Sequence, residues 1–196
     1  MVANVEGVGP RQPVELIRMR EGPLLIVLIG PPGAGKTHLG QRIHASLGFA
    51  FRDAEQELLA RYGSSEAFVK EKGTALAALE REIRARLGAS RVPVVIESTG
   101  LSDAPMLARL EQDFPVLWIK VHAPRDVCVA RVKSRAAGHN FSNDPRQAAE
   151  FHDFWLREVA PRYSFDLEVV SDGSSEDAFL HALAERVEET TTWRTP

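Results

Sequence analysis

The chain has 196 residues, 44% of them hydrophobic and 26% charged, with a formal net charge of -3. That length suits one domain with one good core, and the slightly acidic balance speaks against general attraction to nucleic acid or to an anionic membrane. Cys128 stands alone, which excludes an intramolecular disulfide, fits a reducing compartment and reads as a buried helix residue.

Residues 1–22 carry Gly, Pro and charge without periodicity, apart from "VELIRMR" at Val14 to Arg20, and are read as an N-terminal arm. The apolar run Leu24 to Ile29 is a strand, far too short to span a bilayer, and no long apolar stretch precedes it. A cytoplasmic protein, monomeric or a homodimer, is expected.

The strand stops at "GPPGAGKT", Gly30 to Thr37, which fits G-x-x-x-x-G-K-S/T with the strand before and a helix after that the motif requires. Gly30, Gly33 and Gly35 can turn their N–H groups inward at a helix N-terminus whose dipole favours an anion. Lys36 is placed to neutralise β- and γ-phosphates, and the Thr37 hydroxyl to take one position on Mg2+. The nucleotide-binding set is Gly30, Pro31, Pro32, Gly33, Ala34, Gly35, Lys36, Thr37 and His38, for ATP or GTP. No Asn-Lys-x-Asp guanine signature follows.

The helix "HLGQRIHASLG" ends at Gly48, and a short strand, Phe49 to Arg52, leads to Asp53. At the ligand edge of a strand, Asp53 can hold a metal-bound water or accept a proton from a hydroxyl nucleophile; it also suits a helix N-cap, and the two roles can coexist. Glu55 can bond a substrate hydroxyl or stand as a solvated first-turn acid. A helix, "TALAALEREIRARLG", is expected to end at Gly88.

The third strand, Val92 to Glu97, is apolar until its last residue. The strand resembles a Walker-B strand with Glu in place of Asp, so the expected metal set is Thr37, Asp53 and Glu97, the alternative for Glu97 being an edge carboxylate bonded to nearby backbone donors. Ser98, Thr99 and Gly100 follow as substrate-side residues with Asp53 and Glu55, Gly100 letting backbone approach a ligand; "STGLSD" also makes a helix-entry turn. "SDAPMLARLEQ" begins with a Ser or Asp cap.

After the strand Val116 to Val121 comes "APRDVCVARVKSR", which sets Arg131 and Arg135 four apart on one helix face, before a lid at about 136–147. Such arginines stabilise a transferring phosphoryl group under a closing lid, and are equally ordinary partners of a helix C-terminus. His139 belongs to the same lid, and no histidine spacing resembles a metal ligand set. "FHDFWL", Phe151 to Leu156, reads as packing. A last strand, Leu167 to Val170, and the helix "SSEDAFLHALAERVEE" complete a domain over 23–188, with 189–196 a frayed tail. Strands alternating with helices give a parallel sheet covered on both faces, with ligands at its carboxyl edge.

In this order the motifs resemble the small P-loop kinases of the nucleoside-monophosphate-kinase type, within them the shikimate-kinase-like group, from about Leu24 to Arg186. The likeness rests on "GPPGAGKTHLG", on "FRDAEQELLARYGSSEAFVKEKG" and on "APRYSFDLEVVSD". It implies a three-layer P-loop NTPase fold with a five-stranded parallel sheet in order 2-3-1-4-5 and a small lid. It implies that Lys36 and Thr37 hold phosphate and magnesium, that Asp53 is the acid near metal and acceptor, that Arg131 stacks on adenine, and that Ser171, Asp172 and Gly173 skirt the base. The chain departs from the group at "GTALAA", where the substrate-holding arginine is Ala78 or absent, at "STG", "DAE" and "HNFSND", and at Val159; Arg157 or Arg162 could compensate. The expected activity is ATP- and Mg2+-dependent transfer to a hydroxyl of a small polar metabolite other than shikimate, with Lys36, Asp53, Arg131 and Arg135 as the catalytic set. A nucleotide or polynucleotide kinase and a nucleotide-binding switch are the rivals.

Overall fold

The computed structural model describes residues 23–135, 144–171 and 176–192. The arm 1–22 and the lid segment 136–143, with His139, lie outside them, as do Asp172 and Gly173. The strands are β1 (Leu25–Ile29), β2 (Ala50–Arg52), β3 (Val94–Ser98), β4 (Val116–His122) and β5 (Leu167–Val170). They form one parallel sheet in the order β2-β3-β1-β4-β5. The helices are α1 (Lys36–Leu47), α2 (Ala54–Tyr62), α3 (Ser65–Lys70), α4 (Lys72–Ala89), α5 (Ala104–Asp113), α6 (Arg125–Ser134), α7 (Pro145–Phe154) and α8 (Glu176–Thr192).

Because strand side chains alternate, β1 feeds two cores at once. Leu25, Val27 and Ile29 join Val94 and Ile96 under α2, α4 and α5, whereas Ile26 and Leu28 join Val95, Leu117 and Ile119 under α1, α6 and α8. This is why the inner strands read as unbroken apolar runs. Three layers result, and the carboxyl ends of β1, β2 and β3 open on one edge. Cys128 is fully buried, as the sequence indicates. No described helix is long and apolar enough to cross a membrane.

Five boundaries differ from expectation. Gly48 ends α1 in the left-handed region as expected, but Gly88 does not stop α4: Leu87 anchors that turn in the core, and the chain leaves the helix only at Ser90. The last helix continues to Thr192, through the start of the expected tail. A π-helical turn, Trp155–Val159, extends α7, and α3 starts on a Ser64 side-chain cap that the sequence pattern does not single out. Residues 144–147, assigned to the lid, are the capped first turn of α7.

Gly40 lies where α1 crosses β2, and a Cβ there would sit 2.2 Å from the Phe51 ring. Alanine is intrinsically better in a helix by about 1 kcal/mol, but overpacking costs about 1–3 kcal/mol. Gly40→Ala is therefore expected to lower stability in urea titrations; an unchanged or raised midpoint would show that the ring moves aside freely.

Candidate active site

The loop after β1 is built to expose backbone donors. Gly33 and Gly35 take φ of 81° and 97°, and α1 then begins with no side-chain cap and no acid in its first turn. Its first N–H groups are thus left for an anionic partner. Lys36 Nζ donates to the carbonyls of Gly30 (3.0 Å) and Pro31 (3.1 Å). Burial pulls the Lys36 ammonium below its usual pKa; nearby Arg135 adds to this, while Glu97 and Glu55 oppose it. Gly30, Pro31 and Ala34 form the floor beneath, the Gly30 N–H donating to the Ser98 carbonyl at 3.2 Å.

Parallel pairing with β1 brings Glu97 to the loop's flank, beside a residue 60 positions away: Thr37 Oγ1 donates to Glu97 Oε2 at 2.8 Å. The other oxygen, Oε1, is buried and has no hydrogen-bond partner. Asp53 stands against the same carboxylate while its Oδ1 caps α2 through the Gln56 N–H (3.0 Å). A hydroxyl, one orphaned carboxylate oxygen and a second carboxylate are the hard oxygen donors Mg2+ takes alongside phosphate oxygens. Among the described residues no group of three or more His, Cys, Asp or Glu could hold an ion alone.

In the metal-free protein, burial pushes Glu97 up to about 7, and the adjacent Asp53 reinforces this; Lys36 and the Thr37 hydroxyl pull the other way. The folded-state value lies above the unfolded one near 4.5, so this stability contribution is present below pH 4.5 and is lost as pH rises through 7. The loss is on the order of 3 kcal/mol at most. We expect Glu97→Gln to flatten the pH dependence of metal-free stability between pH 5 and 8; parallel curves for the two proteins would contradict the assignment.

The cleft at this edge has a volume of about 570 Å³. Pro32, Gly33, Gly35, Lys36, Thr37, His38 and Arg135 line it from the loop and the end of α6, together with Asp53, Glu55, Glu97, Ser98 and Thr99. Most of the sequence-derived residues therefore meet in one place. Six described ones do not line it: Gly30, Pro31 and Ala34 of the loop, and Gly100, Arg131 and Ser171. Gly100 is packed on the ring of Tyr163, whose hydroxyl donates to the Gly100 carbonyl at 2.7 Å. Arg131 donates through Nη2 to the Ser171 carbonyl (2.6 Å) and through Nη1 to the Gly33 carbonyl (3.3 Å), bracing the loop from behind. Ser171 is buried under that brace. The two lid arginines separate because α6 ends at Ser134: Arg131 stays on the helix, and Arg135 turns out with an extended backbone. His38 reaches the cleft and also pairs with Glu176 at 3.3 Å.

The far wall was not read from the sequence. Leu58, Phe68, Val69, Leu76 and Leu79 supply an apolar surface, and Asp103 faces it from the start of α5. Asp103 occupies the expected cap position yet makes no side-chain cap bond, and its Oδ1 is buried without a partner. Burial pushes its carboxyl up, with the Ser98 hydroxyl, Lys36 and Lys72 opposing. The only signal in sequence was an Asp close behind a Walker-B-like strand. Arg157 and Arg162, offered as compensating arginines, are exposed and do not line the cleft. Arg52 ends β2 but is consumed by Glu57 (Nε–Oε2 2.6 Å) and Glu82, and Arg61 joins Glu82 at 2.8 Å.

Residues 25–154 match the sequence model described as an AAA domain. A curated shikimate kinase of Salinispora arenicola is 36% identical over 100 residues, which is 50% of this chain and 60% of that one. The chain spans between 42% and 60% of the length of the first three such relatives. Among solved structures, a shikimate kinase from Acinetobacter baumannii in complex with shikimate superposes with a TM-score of 0.57 at 18% identity, covering 87% of this chain and 95% of its own. A gluconokinase from Sinorhizobium meliloti 1021 superposes at 0.53 and 22% identity, covering 88% and 99%.

Proposed function

Because the chain belongs to the AAA domain family, in the shikimate-kinase-like group of small P-loop kinases, we propose that it transfers the γ-phosphoryl group of ATP to a hydroxyl of a small metabolite. The observation that carries this reading is the Thr37–Glu97 contact beside Lys36, with Asp53 against the same carboxylate in the cleft. Lys36 and the α1 N-terminus hold the β- and γ-phosphates. Thr37, Glu97 and Asp53 would hold Mg2+, which would neutralise charge on the phosphate oxygens.

Asp53 orients the acceptor hydroxyl and takes its proton as the hydroxyl oxygen bonds to the γ-phosphorus. The bond from that phosphorus to the β,γ-bridging oxygen breaks, and ADP leaves with the electron pair. Arg135 and Lys36 stabilise the transferring group at the phosphate end. Shikimate is a poor acceptor here, because a carboxylate wants a bidentate arginine and Arg52 is already paired with two glutamates. The acidic acceptor side weighs against a polynucleotide end.

The test is incubation of the pure protein with Mg2+, ATP and pooled hydroxyl-bearing metabolites, with products followed by mass spectrometry. A mass gain of one phosphate confined to particular pools supports the kinase. ATP bound without any phosphorylated product across the pools would favour a nucleotide-dependent switch.

A further inference from the structure

The kinase reading gives no role to two features of the cleft, the unpartnered carboxylate oxygen of Asp103 and the apolar wall opposite. A buried acceptor with no donor is costly, on the order of 1–3 kcal/mol and more when charged, so its retention points to a ligand that satisfies it. Asp103 is held in place by its setting. The Ser98 hydroxyl lies beside it, and the Ser98 Oγ itself accepts the Gly100 N–H at 2.6 Å, which leaves the hydroxyl proton for the carboxylate. Trp155 fixes the same loop by donating to the Thr99 carbonyl at 2.8 Å.

The charge around it is one-sided. Among the described lining residues, the Lys and Arg side chains are Lys36 and Arg135, both beside the phosphate loop; the carboxylates are Asp53, Glu55, Glu97 and Asp103. Lys72 acts on Asp103 from outside that lining, without a bond to it. Arg52 is spent on Glu57 and Glu82. A polyanionic nucleotide in the loop makes the cleft more negative still.

We propose that the acceptor is an amino alcohol whose protonated amine bonds the Asp103 carboxylate while its apolar face lies on Leu58, Phe68, Leu76 and Leu79. The inference rests on the kinase reading for the hydroxyl alone; the ammonium subsite stands on Asp103 and the wall. An ammonium supplies the missing donors and neutralises the buried charge in one contact. The wall gives affinity by area removed from water, about 25 cal/mol per Å². A hydroxy acid would face Asp103 with a second buried negative charge, which excludes it.

Two readouts test this on the full chain. The first is calorimetric binding of phenethylammonium, which has no hydroxyl to phosphorylate, in the presence of Mg2+ and ADP. Wild type is expected to bind it, Asp103→Asn to weaken that binding at least tenfold, and neutral 2-phenylethanol to bind at least tenfold more weakly than the amine. The second sorts phosphorylated products by class, comparing 2-amino-1-phenylethanol and glucosamine with 1-phenylethane-1,2-diol, glucose, mandelate and gluconate. Amines are expected to lead, with Asp103→Asn raising their KM while kcat and the KM for ATP hold. Transfer to neutral or acidic acceptors ahead of amines overturns the proposal and leaves the kinase standing. Amine binding that depends on Asp103 with no transfer to any acceptor keeps the subsite and overturns the kinase. No Asp103-dependent amine binding overturns the subsite whatever the transfer assay reads.

Discussion

Lys36→Ala is expected to lower kcat/KM for phosphoryl transfer by about a thousandfold or more, because a preorganised charge aimed at the transferring group is the largest single term such a site offers. The ammonium is bonded to two carbonyls of its own loop, those of Gly30 and Pro31, and contributes nothing to either apolar core. Its removal should therefore cost the fold little. Turnover and thermal unfolding measured on the same preparation separate the two effects. A variant that unfolds near the wild-type temperature yet turns over fully would remove Lys36 from the mechanism.

Asp53 is expected to give an equally large effect, divisible by the choice of replacement. Its Oδ1 caps α2 through the Gln56 N–H, and asparagine caps about as well as aspartate. Asp53→Asn should keep the stability and lower kcat by about 100- to 10,000-fold, the usual worth of a positioned base. Asp53→Ala should match that loss and in addition lower stability by about 1 kcal/mol. Denaturant titration and steady-state kinetics on both variants read the two jobs separately. Recovery of Asp53→Asn activity at high Mg2+ would assign the carboxylate to the ion; undiminished activity would leave it a cap alone.

The parts of the site that lie in one short stretch were legible in the sequence. The phosphate loop is eight contiguous residues whose pattern and flanks carry their own physical reason, and the five strands announce themselves by apolar runs that a doubly covered sheet demands. Asp53 was legible because it ends a strand. Residues whose role depends on direction were harder. Arg131 and Arg135 share a spacing but diverge where α6 stops, and four-residue spacing cannot foresee that stop. Asp103 looked like one helix cap among several, since only the fold reveals that it makes no cap bond and that its Oδ1 is buried without a partner. The wall from Leu58 to Leu79 spans three helices and shows no motif in any of them.

The bonds of Arg52 have a consequence for how this molecule can change over generations. Through Glu57 and Glu82, and with Arg61 closing the circuit, one guanidinium fastens the end of β2 to both α2 and α4, the helices that carry most of the acceptor wall. The phosphate loop hangs on a different strand, β1, and is braced from the opposite side by Arg131. Acceptor preference and phosphate handling are thus mounted on separate supports. In the proposed kinase, substitutions along Leu58, Leu76 and Leu79 can accumulate and change what the cleft accepts while Lys36 and Thr37 keep their places, so drift in one trait need not erode the other.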